Sequence, residues 1–94
     1  MRKQKRATQT PHTDAFRAWL DVAIKETGTA PATVARAIGA SVNSVGVFLN
    51  DPARDITLSR AATLEGYLRE CARAQGKNLP AIRELMNAAG VKHA

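Results

Sequence analysis

Gly39, with a short apolar run on either side, constrains what this chain can fold into more than any other feature. Residues 31–50 read PATVARAIGASVNSVGVFLN. Within them, Val34 and Ile38 on one side and Val45 and Phe48 on the other recur at the three- and four-residue spacing of a helix face. Two short helices joined by a tight turn satisfy that pattern. Ala35 falls where two helices must approach closely, and Gly39 lies in the turn, where a crowded or left-handed backbone costs least. Ser41 is predicted to cap the second helix by accepting from a backbone N–H near Asn43 or Ser44. A short helix fixed across another, with its polar start pointing outward, has the geometry that fits a DNA major groove.

The flanks continue the helical pattern. A first helix is predicted over residues 14–27, started by Thr13 and Asp14 and stopped by Gly28. Its stripe of Phe16, Trp19, Leu20, Ala23 and Ile24 faces the core, while Arg17, Asp21, Lys25 and Glu26 face water. Trp19 lies within the stripe and therefore reads as a core residue whose N–H needs a polar partner at the core edge. Thr29 or Ala30 leads into a second helix over 32–38, with Pro31 near its first turn and Arg36 on its outer side. A third helix is predicted over 42–49. Its interior Gly46 is a poor helix former, costing about 1 kcal/mol relative to Ala, and is explained by a close approach or offset by packing.

Asn50, Asp51 and Pro52 end that helix. After a short loop with Arg54, Thr57 caps a fourth helix over 58–75, whose inner face is Leu58, Ala61, Leu64, Leu68 and Cys71 or Ala72. Gly76 stops it. A fifth helix over 81–89 carries Ile82, Leu85, Met86 and Ala89, and either closes a small core or supplies a dimer contact. No stretch carries a competing strand pattern. The expected organisation is a basic arm over residues 1–12, a helical domain over 13–90 and a tail over 91–94.

Charge separates the arm from the domain. The chain has 94 residues and a formal net charge of +6, but Arg2, Lys3, Lys5 and Arg6 supply four of its cations. The other 88 residues hold ten basic and eight acidic side chains, close to balance. Positive charge favours a polyanion without choosing among DNA, RNA and anionic lipid. The first segment reads either as an arm that neutralises phosphates or enters a minor groove, or as a solubilising tail. No apolar run is long enough to cross a bilayer, and the basic N-terminus lacks the apolar stretch of a secretory signal. The single Cys71 cannot form an internal disulfide and fits a reducing compartment, so a cytoplasmic protein without membrane association is expected.

Catalytic and metal-binding signatures are missing from the residue pattern. His12 and His93 lie near opposite ends, and one cysteine gives no zinc framework. No Gly-rich loop precedes a Lys-Ser or Lys-Thr pair. Asp14 and Asp55 have no evident partner for general-base chemistry. No enzyme activity, cofactor or metal is expected.

The pattern of Ala35 and Gly39 with Val34, Ile38, Ala40, Val45 and Phe48 resembles the helix-turn-helix of the phage repressor and Cro family. The resemblance extends over residues 13–75, through the ETG ending of the first helix, the FLNDP stretch and the segment DITLSRAATLEGYLRE. It implies an all-α, lambda-repressor-like bundle of four or five helices, and a homodimeric transcriptional regulator, usually a repressor, that reads a two-fold symmetric site on double-stranded DNA. Residue by residue, it implies that Ser41, Val42, Asn43 and Ser44 lie at the groove-facing start of the third helix, with Val47 farther along the same side. Asn43 is the first choice for base readout, because its amide pairs bidentately with an adenine edge. Val42 and Val47 are candidates for thymine methyls. Ala32, Thr33, Arg36, Asn50 and Arg54 are the backbone-contact candidates beside the motif, joined by Arg2, Lys3, Lys5 and Arg6 of the arm. Two departures stand out: Pro31 occupies the place of a phosphate-contacting glutamine frequent in the family, and the third helix has no Arg or Lys. The alternative is an antitoxin-like or other protein-interaction module, with Val42, Gly46 and Val47 as its contact patch.

Overall fold

In a computed structural model, which describes residues 11–82, the chain is all-α and builds a four-helix bundle. Helix α1 spans Pro11–Thr27, α2 Pro31–Ala37, α3 Ser44–Asn50 and α4 Leu58–Ala74. The apolar stripes account for the packing: α1 lies against α4 and α3, and α2 against α3. The core is Phe16, Trp19, Leu20, Ala23, Ile24, Val34, Ala35, Val45, Phe48, Leu64 and Leu68, with Ile38 and Ala40 packed half-buried against it. Phe16 stacks on Trp19 with ring centroids 5.7 Å apart and meets Phe48 at 6.2 Å, joining α1 to α3.

Three glycines stop helices by one mechanism. Gly28, Gly39 and Gly76 adopt φ values of 68°, 76° and 72°, a region that favours residues without a Cβ. In each case the next residue's N–H reaches back to a carbonyl five positions earlier: Thr29 to Ile24 at 3.1 Å, Ala40 to Ala35 at 2.9 Å and Lys77 to Ala72 at 2.8 Å. Gly39 therefore sets the turn between α2 and α3, as the sequence predicts.

The boundaries differ in informative ways. Helix α1 begins at Pro11 rather than Asp14, because proline at a helix start loses no hydrogen bond. Helix α3 begins at Ser44 rather than Val42, and Ser41 does not cap it. The Ser44 N–H and the Ser44 hydroxyl both donate to the Ser41 carbonyl, at 2.9 and 2.7 Å, which keeps residues 41–43 in a turn. Thr57 does cap α4, its hydroxyl accepting from the Arg60 N–H at 3.0 Å.

Two inner-outer assignments reverse. Leu58, expected on the inner face of α4, is 88% exposed at the first turn of the helix. Arg17, expected to face water, has a side chain only 12% exposed. Farther along α4, Ala72 is buried and Cys71 half-buried. After α4 the chain returns along α1: the Gln75 side chain donates to the Thr27 carbonyl, Lys77 to Glu26, and Trp19 Nε1 to Pro80 at 2.8 Å. Pro11 and His12, assigned to the basic arm, belong to α1, while residues 1–10 and the predicted fifth helix beyond Ile82 lie outside the described residues.

Candidate nucleic-acid interface

Helix α3 presents two different faces. Val45 and Phe48 are buried, while Val42 and Asn43 in the preceding turn and Val47 and Asn50 on the helix are exposed. Val42 is 39% and Val47 38% exposed. They gather with Asn43, Gly46, Asn50 and the start of α2, Ala30 to Ala32, around a shallow groove. Asp51 also lines it, and among the described residues no cation does.

A second cavity lies on the other side of α3, between that helix and the start of α4. Ser41, Asn43, Ser44 and Val47 form one wall, and Arg54, Asp55, Thr57 and Arg60 the other. Asn43 and Val47 line both hollows and so form the ridge between them. Arg54 Nε lies 3.9 Å from an Asp51 carboxylate oxygen, a loose exposed pair that holds the guanidinium beside the ridge. Asp55 accepts from its neighbour's N–H at Ile56 (2.8 Å) and from the Thr13 hydroxyl (3.4 Å).

The structure thus divides the sequence-predicted residues. Val42, Asn43, Val47, Asn50 and Ala32 meet at the first groove, and Ser41, Asn43, Ser44, Val47 and Arg54 at the second. Thr33 and Arg36 are exposed on α2 but line neither. Two side chains arrive with a hydrogen bond already made: the Ser44 hydroxyl donates to Ser41, and the Asn50 amide donates to the Gly46 carbonyl at 2.9 Å. The Asn43 side chain, by contrast, makes no capping bond to α3. Arg2, Lys3, Lys5 and Arg6 lie outside the described residues.

Sequence reasoning missed Arg60 and Arg17. Arg60 falls one turn before buried Leu64, on the side of α4 that faces α3, so helical spacing carried the signal. Arg17 lies three residues after Asp14, and the two pair at 3.0 Å. Its other partners are backbone carbonyls far along the chain, which no local pattern announces.

Among the described residues, no group of three or more His, Cys, Asp or Glu side chains is arranged to hold a metal, and no helix is long and apolar enough to cross a membrane. Tyr67 on α4 has its phenol held above the ordinary range, chiefly by its hydrogen bond to Cys71 and then by burial. It lines neither hollow. These elements define an all-α bundle with one polar-apolar ridge raised at the start of its third helix. No family model matches the chain, and neither does any curated protein or solved structure.

Proposed function

We propose that this chain is a sequence-specific, double-stranded DNA-binding regulator, with α2, the turn at Gly39 and α3 acting as a helix-turn-helix of the lambda-repressor kind. The observation that carries this reading is the ridge itself. Asn43, immediately before a short helix, and Val47 on it stand exposed, while Val45 and Phe48 lock the opposite face of that helix into the core. A helix held rigidly on one side, with an amide and branched methyls on the other, suits base edges: the amide for adenine, the methyls for thymine.

The protein binds without catalysis and acts in the cytoplasm. Arg54 and Arg60 line the hollow beside the ridge and are the nearest cations for phosphates, with exposed Arg36 and Thr33 farther off on α2, while Ser41, Ser44 and Asn50 offer shorter polar contacts. With no cation on α3, affinity rests on these flanking arginines, on Arg2, Lys3, Lys5 and Arg6, and on pairing of two chains. A homodimer reads two half-sites ~34–36 Å apart and represses by occluding a promoter.

Selection of bound duplexes from a random pool, with the mass of the complex measured on the same sample, tests this directly. A symmetric enriched site bound by two chains is the expected outcome; no enrichment over competitor rejects the reading. With the site in hand, Asn43→Ala is expected to relax preference at one position by about 1–3 kcal/mol while the fold stays intact. Unchanged preference in the folded variant removes Asn43 from base readout.

A second reading is favoured by the composition of the first groove. Pro31, Ala32, Val42, Gly46 and Val47 form an apolar surface with no cation, which also fits a partner protein in an antitoxin-like module. A partner that protects Val42 and Val47, in a chain without affinity for duplex DNA, would select it.

A further inference from the structure

We infer that Arg17 is a positioning residue for the reading surface, one that sets where the end of α3 and the loop after it stand relative to α1; the inference rests on the DNA-binding reading. A single guanidinium makes four contacts. Its Nε donates to the Phe48 carbonyl at 2.8 Å, one terminal nitrogen donates to the Asp14 carboxylate at 3.0 Å, and the other donates to the Arg54 carbonyl. Its carbon lies 4.4 Å from the centre of the Phe48 ring.

Each partner belongs to a different part of the molecule. Asp14 is in the first turn of α1. Phe48 is in the last turn of α3, where carbonyls lack helical partners and a cation is favoured by the helix dipole. Arg54 is in the connection to α4, and its side chain lines the cavity beside the ridge. The fork satisfies an otherwise unpaired helix-end carbonyl and a loop carbonyl while stacked on an aromatic face in a side chain only 12% exposed.

Lysine cannot reproduce this arrangement. An ammonium has donors but no planar fork, so it cannot lie on the Phe48 ring and meet three acceptors in one plane. Without the fork, the ring of Phe48 still holds α3 to the core, but the last turn loses its hydrogen bond to α1, and the loop at residues 51–56 loses the short bond at Arg54 and keeps the longer one from Thr13 to Asp55. Val47, Asn50 and Arg54 then sample more than one placement. Phosphate attraction survives such looseness; register on base edges does not.

The test compares Arg17→Lys, Arg17→Met and a core control about two turns farther along α1, Ile24→Val, in the full chain. Binding to the selected duplex and to a scrambled duplex is measured at a temperature well below every variant's melting point. Both Arg17 variants are expected to lower the ratio of specific to non-specific affinity by about tenfold or more, with non-specific affinity held within about twofold. Ile24→Val should leave the ratio unchanged. An unchanged ratio in folded Arg17 variants, or an equal fall in the control, overturns the inference. Hydrogen exchange on the free proteins separates this from failure of the DNA reading. Arg17→Lys should speed exchange at residues 48–56 while amides of α1 and α4 keep their protection. Exchange that is unaltered, or that speeds throughout, overturns the positioning role whether or not the chain binds DNA.

Discussion

At Gly46, a methyl group added to the backbone would meet only the Pro31 Cβ, at 3.9 Å, an ordinary contact. Packing between α2 and α3 therefore does not require glycine there, although glycine weakens a helix interior. Gly46→Ala is expected to stabilise the protein by up to about 1 kcal/mol, read as a higher midpoint in urea or heat. On the proposed function the same methyl stands in the groove between Val42 and Val47, so binding to the selected duplex should weaken. A variant that gains stability and keeps full affinity would show that nothing approaches this face closely. Gly46 and its two possible explanations were legible in the sequence, but not the choice between them. Only the spacing to Pro31 excludes internal crowding. Arg17 shows the opposite case: its charge and its Asp14 partner suggest a solvated helix pair, yet two carbonyls from residues 48 and 54 draw it inward.

Among the elements, α4 was the best specified by local chemistry. Thr57 accepts from the Arg60 N–H, whereas α2 and α3 begin without a side-chain cap. Thr57→Ala is expected to cost about 0.5–2 kcal/mol, measured by urea denaturation, by leaving an N-terminal donor of α4 without its protein acceptor. A loss below that range would mean water replaces the hydroxyl fully. The variant also loosens the wall of the cavity that carries Arg60. The start of α3 was harder to read, since Ser41, Asn43 and Ser44 all favour helix caps and turns alike. Residue preference cannot choose between those uses. The two hydrogen bonds from Ser44 to the Ser41 carbonyl choose the turn, and this moves Val42 and Asn43 ahead of the helix. Leu58 failed for a related reason: helical spacing places it near the inner stripe, but among the described residues it lies at the rim of a hollow shared with His12, Thr13 and Ile82 rather than under a packed helix.

For the whole molecule, charge and shape are divided between parts of the chain. Four cations fall in the first six residues, while the ridge residues of α3 are uncharged. Deleting residues 1–6 is expected to reduce the slope of log affinity against log salt by up to about 3–4 and leave base preference intact. An unchanged slope would make that segment a bystander. The sequence by itself determined the helical class, the core stripes, the glycine stops and the cap at Thr57, because each depends on spacing or on bonds between near neighbours. Tertiary structure alone decided that Arg17 turns inward, that Arg60 joins the wall facing α3, that Thr33 and Arg36 stand apart from both hollows, and that Trp19 finds its acceptor at Pro80. The carbonyl acceptors of Arg17 and Trp19 lie 31 to 61 residues away, and all of these outcomes depend on positions that exist only after the helices have packed.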